Sequence, residues 1–228
     1  MKIFYKLFLV LTALLLLYAL SGCADPEAKH GDEYLIRVGE RITTIDDFKR
    51  TFEIVKAAYP HNVLKGSACL REARLSLLNQ LVEQMIILER AAEQNIGISD
   101  SEVEEVVAGI RKDYPEGEFD KMLLEYAISY QSWKRALKKR LIIEKVIAEE
   151  LEEKVIITPD NISEYYERNY ERFFLNSGPK EDPANINEVI VKQLRMEKVE
   201  EAYKVWIKKL KENYKVEINR ARWEEVAS

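Results

Sequence analysis

Two cysteines and two histidines are the only thiols and imidazoles in this 228-residue chain. Cys23 follows Leu20, Ser21 and Gly22 at the end of a long apolar run, where a thiol is placed for covalent modification rather than for catalysis. Cys69 is expected as a buried core thiol, because a free cysteine packs like a small hydrophobe. Beyond Cys23 it is the one remaining thiol, so no intramolecular disulfide is expected in the mature chain. His30 and His61 fall in a tether-like and a loop-like segment, with no Cys, Asp or Glu at zinc-site spacing, so no metal site is expected. There is no Gly-rich phosphate loop. The acid pairs Glu149-Glu150 and Glu152-Glu153 could do acid–base work, but on a charged helix they read as solvated surface. No catalytic residue, metal or cofactor is expected.

The chemistry at Cys23 rests on what precedes it. Lys2 and Lys6 give a positive start, and residues 7–20 (LFLVLTALLLLYAL) are apolar except for Thr12. A basic start, a short apolar stretch and small residues at its end make a secretory signal. The stretch is too short to span a bilayer, which takes about 20 residues. Leu20-Ser21-Gly22-Cys23 resembles the lipobox of bacterial lipoproteins. That resemblance implies a signal peptide at 1–22, an acylated Cys23 at the start of the mature chain, and a polar tether over 23–33. The expected location is the cell envelope, lipid-anchored. It is either periplasm-facing, with the outer membrane favoured by Ala24 in an enteric-type cell, or on the outer face of the cytoplasmic membrane.

Charge narrows the partners. The formal net charge of −5 becomes −7 once Lys2 and Lys6 leave with the signal. No basic excess exists to replace phosphate counterions, so nucleic acid is not expected as a partner. Charged residues make up 33% of the chain and glycines number eight, a profile of a helical, well-solvated protein. Lys134, Arg135, Lys138, Lys139 and Arg140 crowd one short stretch, read as a solvated face beside acidic neighbours. They sit at the unfavourable, positive end of their helix dipole.

The elements follow from caps and periodicity. Residues 34–38 read as a strand, Gly39-Glu40 as a turn and Arg41-Ile42 as a returning strand. Thr44, with Asp47 three residues on, caps a helix with an apolar face of Phe48, Phe52 and Val55. Pro60 and Gly66 bracket a break. A helix over 70–95 carries Leu75, Leu78, Leu81, Val82, Met85, Ile86 and Ala92 at helical spacing, stopped by Gly97. Ser99 and Glu102 form a capping box stapled by Ile98 and Val103, and that helix ends near Asp113. Phe119, Met122, Leu123 and Tyr126 mark a short helix. Ser129 caps the next, stapled by Ile128 and Trp133 and running to about Lys154. Thr158-Pro159 opens another, stapled by Ile157 and Ile162. Residues 175–184 read as a loop, and a long helix spans about 186–213. Residues 214–218 form a strand able to pair with 34–38, and 219–228 read as a tail. The fold class is therefore mainly α, with a small antiparallel β element joining the N- and C-terminal strands. Tyr126, Tyr130, Trp133, Tyr165, Tyr166, Tyr170, Phe173 and Phe174 are expected mostly in the core, with some lining an open cleft.

The order of these pieces resembles the SurA/PrsA-type chaperones of the bacterial envelope. The similarity runs through VGERITTIDDF at 38–48, LSLLNQLVEQMIIL at 75–88, AAEQNIGISDSEV at 91–103 and ISYQSWKR at 128–135. It continues through ITPDNISEYYERN at 157–169 and EEAYKVW at 200–206 to VEI at 216–218. It implies a SurA-like helical chaperone domain over 34–218. Such proteins normally carry a parvulin-type prolyl isomerase domain between the last two of these helices. Here the loop 175–184 stands in its place, and no histidine follows His61. The implied work is ATP-independent holding of unfolded or nascent envelope proteins, outer-membrane proteins among them, without enzymatic activity. Met122, Tyr126, Tyr130 and Trp133 are the expected client contacts, and the lipid on Cys23 the link to the membrane. The alternative is a dedicated assembly or scaffold lipoprotein serving one partner in a secretion or polysaccharide system. The residues leave the oligomeric state open.

Overall fold

The computed structural model describes residues 34–57, 66–169 and 183–227. The signal, Cys23, the tether, both histidines, Pro60, Tyr170, Phe173, Phe174 and the stretch 175–182 lie outside these residues. In chain order the elements are β1 (Tyr34–Val38), β2 (Arg41–Thr44), α1 (Ile45–Ala57), α2 (Ser67–Glu93), α3 (Asp100–Lys112), α4 (Glu118–Glu125) and α5 (Tyr130–Glu150). A 3₁₀ turn (Glu152–Lys154), α6 (Pro159–Arg168), α7 (Pro183–Asn213), β3 (Val216–Ile218) and α8 (Arg220–Ala227) follow. The fold is mainly α, as expected.

The three strands lie in the order β2-β1-β3. β1 and β3 pair antiparallel, with Ile36 opposite Ile218 and Val38 opposite Val216, so the expected pairing of the two terminal strands is present. Gly39 turns the β1–β2 hairpin at φ 55°, in the left-handed region that glycine enters freely. A Cβ there would stand 3.0 Å from the Glu89 carboxyl group. Glu89 lies 2.8 Å from Arg41 Nε, and Arg41 Nη2 donates to the Leu88 carbonyl at 3.1 Å, so the turn is pressed against α2.

Local signals set most helix ends. The Ser99–Glu102 capping box is fully formed, with Ser99 N donating to Glu102 Oε2 at 2.7 Å and Glu102 N to Ser99 Oγ at 3.2 Å. Thr158 caps α6 reciprocally with Asn161, with Pro159 at the first helical position. At Thr44 the backbone bond from Asp47 is present at 3.2 Å, but the return bond comes from the Thr44 hydroxyl to Asp47 Oδ2 rather than from its N–H. α2 stops before Gly97. Asn95 takes the left-handed conformation at φ 55°, and Ile96 N reaches back to the Ala91 carbonyl at 2.8 Å, closing a Schellman motif.

α4 ends the same way with an alanine in the left-handed position. Ala127 has φ 52°, and Ile128 N bonds the Leu123 carbonyl at 2.8 Å. An L-residue there carries a Cβ penalty that glycine avoids, so Ala127→Gly should stabilise the chain by about 1 kcal/mol. Urea midpoints at constant slope would check this.

The main core gathers around α2. Leu35, Ile36, Val38, Phe48, Phe52, Ile86 and Val146 are among its buried members, with Ile207, Leu210 and Val226 closing it from α7 and α8. Because α1, α5, α7 and α8 all pack on α2, its burial departs from a single stripe. Leu75 and Ala92, expected inside, are exposed, whereas Leu77, Ile87, Leu88 and Ala91 are buried. Cys69, also expected inside, is exposed in the first turn of α2, which runs past the core. The segment expected as a tail carries helix α8. Asn219 caps it, its Oδ1 accepting from Arg222 N at 3.2 Å, and Trp223 packs edge-on to Phe48. A second cluster joins α3 and α5 through Val103, Val107 and Leu137, and a third joins α6 and α7 through Tyr165, Ile190 and Leu194.

Candidate functional site

The α3–α4–α5 unit builds one open groove. Its geometry begins with two caps: Ser99 starts α3, and Ser129 starts α5 by accepting from Ser132 N at 3.1 Å. Between them the turn at Asp113–Gly117, with Gly117 at φ 79°, swings α4 across the pair. Opposite charges then draw α3 and α5 together. Lys138 Nζ lies 2.7 Å from Asp100 Oδ1, and Lys134 pairs with Glu104. The hydrogen bond from Lys138 holds the Asp100 carboxyl below its usual range, and the bond to Glu104 raises the Lys134 ammonium. Arg140 Nε donates to Glu144 Oε1 at 2.6 Å. The basic run is thus largely neutralised by neighbouring acids, in keeping with a solvated face.

Inside this frame a chain of aromatic rings forms the wall. Tyr114 meets Phe119 edge-on at 5.5 Å, Phe119 meets Trp133 edge-on at 4.9 Å, and Trp133 stacks on Tyr130 at 6.0 Å. Such contacts add to plain burial because ring edges and faces carry opposite partial charge. The Arg111 guanidinium lies over both Phe119, at 5.0 Å, and Tyr130, at 5.3 Å. Asp120 holds it there through a 2.7 Å bond to Nη2. The resulting cavity has a volume of about 440 Å³. α3 contributes Ile110, the following turn Tyr114, α4 Phe119 and Met122, and α5 Trp133, Ala136, Leu137 and Arg140.

Of the expected client contacts, the structure brings Met122 and Trp133 together in this wall. Tyr126, at the C-cap of α4, is 49% exposed and lies off the lining. Tyr130 is half-buried behind Trp133, against the α3–α5 cluster and under Arg111. Tyr165 is a core residue of the α6–α7 cluster, and Tyr166 is exposed. Sequence reasoning missed Ile110, Tyr114, Phe119, Ala136, Leu137 and Arg140 as lining residues. A signal for the α5 members was present: positions 133, 136, 137 and 140 are spaced as one helical stripe. Among the described residues no group of His, Cys, Asp and Glu is placed to hold a metal ion. No described helix is long and apolar enough to cross a membrane.

A mainly α module, closed by its own terminal strands and carrying an open apolar groove between α3, α4 and α5, is thereby defined. The chain belongs to the SurA-like N-terminal domain family, whose model matches residues 1–147. It is 26% identical to the foldase protein PrsA of Caldanaerobacter subterraneus subsp. tengcongensis over 74% of this chain and 53% of that one. It is 28% identical to the foldase protein PrsA of Clostridium acetobutylicum, over 52% of this chain and 38% of the relative. The foldase protein PrsA of Clostridium botulinum is 26% identical, over 84% of this chain and 61% of its own length. The match thus spans less than two thirds of each of these relatives.

Proposed function

We propose that this protein is an ATP-independent holding chaperone of the cell envelope, tethered by lipid on Cys23, with the α3–α4–α5 groove as the seat for unfolded clients. The observation that carries the reading is the groove itself: an open apolar concavity, walled by Trp133, Phe119 and Met122, in a member of the SurA-like N-terminal family. Methionine adapts its shape to varied partners, and aromatic rings offer contact area to many sequences. Binding alone is enough for such work, since occupying exposed apolar segments lowers the concentration of aggregation-prone chain. Prolyl isomerase activity is not part of the proposal. The stretch joining α6 to α7 is far shorter than the ~50 residues a domain needs.

The chain from Ala24 onward, mixed with an unfolded outer-membrane protein diluted from urea, should suppress light scattering near equimolar ratio. A lack of suppression at large excess would overturn the holding role and favour a scaffold for one dedicated partner. Cys23→Ser should move the full-length protein from the membrane to the soluble fraction and remove its acyl mass. A Ser variant that still carries acyl chains would refute the anchor.

A further inference from the structure

The groove has one charged residue in its lining, Arg140, and the way that residue is held specifies its ligand. Arg140 spends Nε on Glu144, one turn along α5. Among the described residues its two terminal nitrogens have no partner, and the side chain is 74% exposed. A guanidinium fixed through Nε presents its outer pair of N–H groups as a fork that matches a carboxylate. On the same wall, the Trp133 indole N–H, a donor only, also has no partner among the described residues. An apolar floor flanked by unpaired donors is matched by a segment carrying acceptors beside its apolar side chain. A folded helix offers few, since its main-chain carbonyls are already bonded.

We infer that the groove selects extended polypeptide segments in which an apolar side chain is followed closely by an Asp or Glu. The apolar group fills the cavity, the carboxylate docks on the free end of Arg140, and a main-chain carbonyl accepts from Trp133 Nε1. Glu144 acts as a positioning residue that aims the fork. This inference rests on the groove being the client seat.

The test uses fluorescein-labelled unstructured peptides with one Leu-Phe core and flanks of Asp, Ser or Lys, titrated with the chain from Ala24 onward at low ionic strength. The Asp peptide should bind about fivefold tighter than the Ser peptide, and the Lys peptide weaker still. The preference should fade in 0.5 M salt, as exposed pairs are screened. Arg140→Glu should reverse the order of the Asp and Lys peptides. Lys139→Gln, one residue away but off the lining, should preserve the order. Equal affinities for all three flanks, or an order untouched by Arg140→Glu, would overturn the charge selection while the holding role stands. Failure of every peptide to bind would overturn the client seat and this inference together. Self-association that is lost in Arg140→Glu would make the occupant a second copy of the chain and overturn the inference as well.

Discussion

Replacing Glu150 by alanine should cost the folded protein about 3 kcal/mol, because the change strips a nearly buried carboxylate from two donors at once. Glu150 Oε1 accepts from Arg90 Nε at 2.7 Å, and Oε2 accepts from Trp206 Nε1 at 2.5 Å. Its side chain is 10% exposed, and the three partners come from α5, α2 and α7. Without Glu150, the Trp206 N–H loses its acceptor and the Arg90 charge is left with Glu93 at 3.7 Å, where three helices meet. Around this point a second layer ties α2 to α7: Tyr203 donates to Glu83 at 3.1 Å and Lys211 pairs with Glu83 at 2.7 Å. Burial, with Glu83 close by, pushes the Tyr203 hydroxyl up to about 12, so it stays a donor at any physiological pH. Chemical denaturation of the alanine variant should show a lower midpoint with an unchanged slope. A loss under 1 kcal/mol would show that water replaces the carboxylate at little cost.

The same residue gives the fold an acid limit. Burial pushes the Glu150 carboxyl up, but the hydrogen bonds from Trp206 and Arg90, with the Arg90 charge, outweigh burial and hold it below its ordinary value of 4.5. A carboxyl group lowered by folding contributes stability that is present above 4.5 and is lost as pH falls through the lower folded value. Glu150→Gln keeps an acceptor for Trp206 but no longer titrates. Its stability should therefore fall less steeply below pH 4.5 than that of the parent chain.

Trp133→Ala is expected to weaken client holding at least about tenfold, as removal of a central aromatic anchor does at other interfaces. Trp133 is at once a wall of the groove and the ring that links Phe119 to Tyr130, so its loss opens the cavity and frees Arg111's aromatic platform. The cost to stability should be about 2–3 kcal/mol, below that of a fully buried tryptophan, since the side chain is only partly buried. The main core around α2 shares no buried residue with the α3–α5 cluster, so hydrogen exchange in α2 should be unchanged. Met122→Leu, of similar volume, should leave both readouts near the parent. If Trp133→Ala suppresses scattering as well as the parent, clients bind elsewhere on the chain.

Features written in a few adjacent residues were legible in advance. The Ser99 and Thr158 caps depend on short patterns that nothing distant overrides, and each of the two strands that pair is a short run readable from its own residues. α2 was harder because it is packed from several sides, so no one stripe of its sequence marks the core and Leu75 misleads. Gly97 looked like its stop, yet Asn95 tolerates the left-handed turn and sits closer to the last packed residue. α8 was missed because its helix depends on three anchors, Trp223, Val226 and Ala227, against distant elements. In the groove, the α5 stripe was readable. Tyr114 was not, since its place in the wall follows from how the Gly117 turn lays α4 across α5. Arg140 was read as one of five solvated cations, and only its geometry against Glu144 sets it apart.

The pairing of Ile36 with Ile218 also sets an order of events when the chain is made. β1 leaves a ribosome or translocon roughly 180 positions ahead of its partner β3, and closing so long a loop is slow. Until then the strand of Leu35, Ile36 and Val38 has β2 beside it but lacks β3 on its other edge. The α3–α5 unit is contiguous, and its capped helices and charge pairs are all local. The groove can therefore be assembled while the body that carries it is still open, and the growing chain passes through a stage in which one edge of an apolar strand is unpaired.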